Sequence, residues 1–336
     1  MKPIVGITMG DPAGIGPEII IKSLMDSQIY SGLKPLVIGN YKVMSKTKDE
    51  LGIIVDLNEI KTISDAKFKS GTIDILDIPL NYKYTPGKMN IGNGKAALDY
   101  IYKAIDLVNE GKIHSIATAP TNKEAMKMAG SKFSGATEIF AFMAKVTDFS
   151  TIIEQGGCYI FQLTTHMPLK DAISKINTEF LYEKIKKAYE DLIILGINNP
   201  KIGLSGLNPH AGDGGVLGRE ETEIFHPAIV KLRNESIDIS DPIPVDAIFN
   251  KGYGGEYDAL MIMYHDAANI AIKLMSSKFA TVVITGGLPY VRTTVAHGTA
   301  YDIANKGIAD FSQMKNAIIT AGKISQRKYF SESGGK

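Results

Sequence analysis

Short apolar runs alternate with longer amphipathic stretches almost throughout the chain, and this alternation constrains the fold more than any other feature. Ile4 to Met9, Pro35 to Gly39, Gly71 to Ile78, Ser115 to Ala119, Cys158 to Leu163, Lys201 to Leu207, Ala259 to Tyr264 and Thr281 to Thr285 read as buried strands. Between them, Pro17 to Met25, Gly94 to Glu110, Thr137 to Lys145, Glu179 to Leu195 and Met314 to Lys328 have helical spacing. In the second of these, Ala97, Ile101, Ile105 and Val108 share one face. Pro17 and Glu18 stand where a first helical turn favours proline and an acid. Strands alternating with helices predict an α/β fold, a mostly parallel sheet covered on both faces.

At 336 residues the chain exceeds the usual size of one domain, so two lobes are expected. No linker marks the division by composition; the first lobe is drawn at 1–130 plus 294–336 and the second at 131–293. A net charge of +1 argues against a nucleic-acid surface, though a local pocket for one phosphate is compatible with it. No apolar run has the length of a membrane span, and the N-terminus runs straight into a strand pattern with no signal peptide. With Cys158 the single cysteine, no intrachain disulfide can form, and a cytoplasmic setting is expected.

Of the six histidines, three share one setting. His166 follows Leu163-Thr164-Thr165, His210 follows Leu207-Asn208-Pro209, and His265 follows Ile262-Met263-Tyr264. Each lies just past the C-terminal end of a predicted buried strand, where open α/β sheets bind ligands. One such histidine alone is usually a hydrogen-bonded loop residue. Three in the same setting suggest imidazoles converging on a catalytic divalent metal with an open position. Histidine ligands suit zinc; magnesium, manganese and cobalt are the alternatives. His114 and His226 lack this setting.

The glycine loops are weaker signals. Gly10-Asp11-Pro12-Ala13-Gly14-Ile15-Gly16 lies between a strand and a helix, so its amides could meet an anion or serve only as turn chemistry. It matches neither a Walker loop nor a dinucleotide fingerprint. Arg292, in the region Gly286 to Thr294 that follows a strand, could grip a phosphate or carboxylate as a planar fork, and Lys273 could add a second positive charge.

Together these segments resemble the 4-hydroxythreonine-4-phosphate dehydrogenase (PdxA) family nearly end to end. The resemblance is carried by Ile7-Thr8-Met9-Gly10-Asp11-Pro12-Ala13-Gly14-Ile15-Gly16-Pro17-Glu18, Thr164-Thr165-His166, Gly206-Leu207-Asn208-Pro209-His210-Ala211-Gly212, Tyr264-His265-Asp266 and Gly287-Leu288-Pro289-Tyr290-Val291-Arg292-Thr293. His297-Gly298-Thr299-Ala300-Tyr301-Asp302 is similar to the adenine-side loop of isocitrate and isopropylmalate dehydrogenases. The resemblance implies their two-lobed α/β/α fold and a homodimer with the active site in the interlobe cleft at the dimer interface. It implies a metal on His166, His210 and His265, one of them from the neighbouring chain, with His265 the candidate. Thr137, Lys273 and Arg292 match substrate contacts; His297, Gly298, Thr299 and Asp302 are the cofactor candidates; Lys273 and Asp246 are the candidate catalytic side chains. The implied reaction is oxidation of a secondary alcohol by NAD or NADP, followed by loss of carbon dioxide from the β-keto acid.

The sequence departs from the family pattern at Ala136, Val216, Ala267, Ala268, Val283 and Ala296, where the family usually has histidine, histidine, glutamine, glycine, asparagine and an acid. These departures leave three readings, in this order: a dehydrogenase of a 4-phosphorylated four-carbon hydroxy acid, including D-threonate or D-erythronate 4-phosphate; a homologue that keeps metal and fold without dehydrogenase activity; and a metal hydrolase using Asp266 or Asp246 to activate water.

Overall fold

The structure, a computed structural model, describes residues 1–82 and 84–330. It forms two compact units, Met1–Ser150 with Val282–Lys336, and Thr151–Thr281.

The first unit begins β1 (Ile4–Thr8), α1 (Gly16–Leu24), α2 (Ser27–Gly32), β2 (Lys34–Gly39), α3 (Tyr41–Glu50), β3 (Asp56–Ile60), β4 (Thr72–Asp77), α4 (Ile91–Asn109), β5 (Ser115–Thr118), α5 (Lys123–Met128) and α6 (Ala136–Met143). The second holds β6 (Ser150–Gln155), β7 (Cys158–Thr164), α7 (Leu169–Lys175), α8 (Thr178–Ile194), β8 (Ile202–Leu204), α9 (His226–Asn234), α10 (Val245–Tyr253), β9 (Ala259–Tyr264) and α11 (His265–Met275). The chain then returns to the first unit with β10 (Thr281–Gly286), β11 (Val291–Val295) and α12 (Ser312–Phe330).

In the first unit the strand order is β3-β4-β2-β1-β5-β11-β10, parallel except for the β10–β11 pair. Ile7, Leu36, Ile38, Ile75 and Ile116 are fully buried on it, each worth about 1.5–3 kcal/mol of apolar burial. In the second the order is β6-β7-β9-β8, with β7, β9 and β8 parallel and β6 antiparallel to β7. Ile160, Leu260 and Ile262 pack there against Ile248 and Ile272 of the helices. The α/β reading of the sequence is thus borne out. Val291–Val295, read as part of a glycine-rich region after a strand, is itself strand β11, buried between β5 and β10.

The sequence reading drew the first division after residue 130 and the return at 294. In the structure α6 packs with α4, and Arg292 on β11 reaches α6 and β5, so both segments belong to the first unit.

Helix starts follow local chemistry. Asn40, Asn90, Asn122 and Asn177 each accept a backbone N–H three residues on, capping α3, α4, α5 and α8, a contact worth about 1 kcal/mol apiece. Gly94 lets α4 lie against α5, since a Cβ there would stand 1.9 Å from the Ala125 carbonyl oxygen. By contrast α6 and α11 start at Gly135 and Tyr264 without a side-chain cap, and these two helices carry Thr137 and His265. No helix among the described residues is long and apolar enough to cross a membrane.

Candidate active site

β7 and β9 run parallel and side by side, with Thr164 opposite Tyr264. The Thr164 hydroxyl donates to the Met263 carbonyl at 2.8 Å and fixes the register at the strand ends. His166 stands just past β7, and His265 opens α11 directly after β9. Their rings therefore meet, 5.4 Å apart centre to centre with planes at 47°. Two imidazoles sharing one tetrahedral ion, each nitrogen about 2.0–2.1 Å from it, put their ring centres roughly 5 Å apart. The observed spacing is close to that value. Asp266 lies beside it, its Oδ1 3.4 Å from His265 Nδ1.

His210 is placed differently. It lies beyond β8, the strand on the other flank of β9, and is exposed. Among the described residues no three His, Cys, Asp or Glu side chains of one chain are grouped as a metal requires. The structure thus joins two of the three candidate ligands and leaves the third apart. The sequence reading gave His265 to the neighbouring chain; here it stands beside His166 of its own chain. His166 at φ 44° and His210 at φ 53° are both left-handed, a conformation that non-glycine residues rarely adopt and that gathers at functional sites.

Arg292 lies on β11 of the first unit and is buried, 2% exposed. Its Nε donates to Thr118 Oγ1 at 3.2 Å, and its Nη1 to Thr137 Oγ1 at 3.0 Å and Thr285 Oγ1 at 2.9 Å. The guanidinium lies over the Phe140 ring, 5.0 Å from its centre. All three acceptors are neutral hydroxyls, and no carboxylate forms an ion pair with this cation among the described residues. Burial pushes it down to about 10, against the pull of Tyr290 and Glu138.

The loop proposed for the cofactor is tied to the Gly10–Gly16 loop. Ile15 N–H donates to the Thr299 carbonyl at 2.9 Å, and the Tyr301 hydroxyl donates to Asp11 Oδ2 at 2.6 Å. Gly14 must be glycine for this approach, because a Cβ would stand 2.8 Å from the Thr299 oxygen. Asp11 is fully buried, and its Oδ1 takes the Ala13 N–H at 2.9 Å. Burial raises its carboxyl above the ordinary range, with Tyr301 and the loop amides pulling the other way. The amides of Ala13, Gly14 and Ile15 are thus spent on acceptors of the chain itself, and the alternative of an anion on this loop gives way to turn chemistry. His297 bonds the Gly298 carbonyl through Nδ1 at 3.0 Å, while its Nε2 is buried without a partner among the described residues. Asp302 is exposed. Lys273 on α11 and Asp246 in the first turn of α10 are exposed, and neither side chain has a partner among the described residues.

Sequence reasoning missed Thr118 and Thr285, which hold Arg292, and Asp11, which holds Tyr301. The signal for Asp11 was an acid inside a glycine loop. For the threonines there was none, since only the strand register brings them to Arg292.

Imidazoles stand at the ends of parallel strands in one unit and a buried arginine stands on a strand of the other, within an α/β fold. The chain belongs to the PdxA family: the family described as "Pyridoxal phosphate biosynthetic protein PdxA" matches residues 32–321. A curated relative from Cupriavidus necator, named D-threonate 4-phosphate dehydrogenase, is 39% identical over 328 residues, covering 97% of this chain and 98% of that protein. The solved 4-hydroxythreonine-4-phosphate dehydrogenase from Klebsiella pneumoniae is 35% identical with a TM-score of 0.87, covering 97% of this chain and 99% of that one. Its counterpart from Burkholderia phymatum is 36% identical with a TM-score of 0.84, covering 96% and 98%.

Proposed function

We propose that this protein is a metal-dependent, nicotinamide-linked dehydrogenase that oxidises and decarboxylates a 4-phosphorylated four-carbon hydroxy acid, with D-threonate 4-phosphate as its substrate. The single observation that carries the anionic substrate is Arg292, buried with no ion-pair partner among the described residues. The choice within the family rests on the name of the Cupriavidus relative and on Ala136 and Val283, where the resemblance leads one to expect histidine and asparagine. D-erythronate 4-phosphate and 4-phosphohydroxy-L-threonine are the alternatives.

In this reading Arg292 grips an anionic group of the substrate, and Thr118, Thr137 and Thr285 hold the plane of its fork. Lys273 brings a second cation, and Asp246 takes the proton of the substrate hydroxyl. His166, His265 and His210 hold the ion, with zinc the first candidate. When bound, the ion acts as a Lewis acid toward the substrate oxygens and NAD or NADP accepts the hydride. The buried, unpartnered Nε2 of His297 supports a cofactor at His297, Gly298, Thr299 and Asp302.

A homodimer is part of the proposal. Leu169, Ile173, Val216, Ile270 and Leu274 expose apolar surface near the candidate ligands in the chain, Leu274 at 74% and Val216 at 78%. A second copy would cover such a surface. Because His166 and His265 already pair within one chain, His210 is the donor left for the partner to supply.

The test is turnover. Metal-loaded protein is assayed with NAD and with NADP on all three phosphorylated acids, following the absorbance of the reduced nicotinamide. Preferred use of D-threonate 4-phosphate is expected. No turnover of any of the three by protein that holds its metal would sink the proposal.

A further inference from the structure

The segment after β8 folds against its own preference. His210, Ala211, Gly212, Asp213 and Gly214 have φ of 53°, 54°, 81°, 43° and 64°. Five successive residues are left-handed, and three of them carry a Cβ. Such a run persists only where its surroundings over-determine it.

Besides its own turn bonds, the segment packs against the carboxylate of Glu221. Glu221 Oε1 accepts the N–H of Leu207 at 2.9 Å and of Asn208 at 2.8 Å. Its Oε2 accepts from Asn208 Nδ2 at 2.9 Å, and Glu220 Oε2 accepts from the same nitrogen at 2.7 Å. Two glycines admit the carboxylate. A Cβ on Gly212 would stand 2.7 Å from Glu221 Oε2, and one on Gly206 would stand 3.4 Å from Oε1 and 2.9 Å from the Ala211 Cα. Glu221 is 8% exposed and forms no ion pair among the described residues. A buried carboxylate without a cation must be held by N–H donors, and here all three belong to the two residues Leu207 and Asn208, just ahead of His210.

The backbone behind Glu221 is also irregular. Glu221–Phe225 is a single π-helical turn that runs into α9, with Phe225 fully buried beneath it. A π-turn widens the helix by one residue and re-aims the side chain at its start, a device frequent at functional sites.

We infer that Glu221 is the positioning residue for His210. It sets the left-handed turn that presents the imidazole, and it does so through the backbone without touching the ring. The inference rests on the reading of His210 as a metal donor.

The experiment measures zinc affinity of the full-length apoprotein by competition with a chromophoric chelator, with melting temperature read alongside. His210→Ala, Glu221→Ala, Glu221→Gln and Asn208→Ala are compared with the parent. Removing the partner that orients a ligand typically weakens metal binding about 10- to 100-fold. Glu221→Ala is expected to fall in that range. Glu221→Gln keeps an oxygen for the two backbone amides and should recover part of the loss. Asn208→Ala removes only the side-chain link and should lose less than Glu221→Ala. The cobalt-substituted Glu221→Ala protein should show altered visible bands, which a purely structural role would leave in place. If Glu221→Ala does not fold, the order parent, Asn208→Ala, Glu221→Gln decides. Parent-like affinity in the Glu221 and Asn208 variants, with affinity lost in His210→Ala, overturns the role of Glu221 alone. Parent-like affinity in His210→Ala overturns the metal reading itself, and the inference with it.

Discussion

The rings of His166 and His265 lie 5.4 Å apart because Thr164 and Tyr264 face each other across two parallel strands. Side chains that share one ion should fail together. His166→Ala and His265→Ala are each expected to lose bound metal and dehydrogenase turnover. Both residues carry substantial exposure, so the melting temperature of the metal-free protein should stay within the range of ordinary surface substitutions, about 0.5 kcal/mol. His226→Ala, exposed at the start of α9, should keep its metal. Metal content by atomic absorption checks all three; unchanged metal in the first two would remove the site.

Arg292 is a buried cation whose hydrogen-bond acceptors are three hydroxyls. Moving it from 12.5 to about 10 corresponds to a cost on the order of 3 kcal/mol at about 1.4 kcal/mol per pH unit. Arg292→Met is therefore expected to leave the unliganded protein as stable as the parent or more so, while kcat/KM falls by roughly 2–5 kcal/mol, the loss seen when one partner of a buried charge pair is truncated. Thr137→Val removes one acceptor and should cost about 1 kcal/mol of binding. Calorimetry with and without inorganic phosphate separates the two effects: phosphate should raise the parent's melting temperature and leave Arg292→Met where it was.

The same residue sets a pH dependence with a definite sign. Its folded value is depressed, so as pH rises the folded chain gives up this proton before the unfolded chain does. Above about 10 the unfolded chain binds more protons, and the group's penalty on stability shrinks as pH climbs; below about 10 the penalty is constant. The anion needs the charged form, so the part of phosphate affinity that depends on Arg292 should hold through neutral pH and fall up to about tenfold per unit once pH passes about 10. The difference between parent and Arg292→Met isolates this group from tyrosines and lysines that titrate nearby. A difference that does not change across that window would contradict the assignment.

How far the sequence spoke depended on the range of the contact. Strand ends and the histidines beyond them were legible, because a buried strand announces itself in a few consecutive residues and the next residue follows it. Arg292 was legible as a cation but not as a buried one. Its acceptors Thr118, Thr137 and Thr285 come from three different elements, and the pairing of β11 with β5 and with β10, together with the packing of α6, brings them to it. The left-handed run at His210 was hidden for a different reason. Gly212 and Gly214 advertise a turn, but nothing local predicts that His210, Ala211 and Asp213 share that conformation. The Gly10–Gly16 loop offered two readings, and turn chemistry is favoured because the N–H of Ala13 goes to the Asp11 carboxylate and those of Gly14 and Ile15 to backbone carbonyls.

Tyr301 tests that last point. Its hydroxyl is the side-chain donor to the buried Asp11, and it sits in the loop assigned to the cofactor. Tyr301→Phe leaves a buried carboxylate short of one donor, which should cost about 1–3 kcal/mol of stability. With Ile15 and Thr299 still bonded, the loop should loosen without unfolding. KM for NAD should rise severalfold, while KM for the phosphorylated acid stays near the parent's. Equal changes in both constants would mean that the loop does not serve the cofactor.

The arrangement of the histidines predicts how inactive variants complement one another. In a randomly reassorted dimer of two variants, half the molecules are mixed, and a mixed dimer has one intact site only if the two lesions fall on opposite sides of it. With His166 and His265 from one chain and His210 from its partner, His166→Ala mixed with His210→Ala should regain about a quarter of the parent's activity. His166→Ala mixed with His265→Ala should regain none, since every site then lacks a ligand. Recovery in the second mixture and not the first would make His265 the partner's donor and the 5.4 Å pairing in one chain unrelated to the metal.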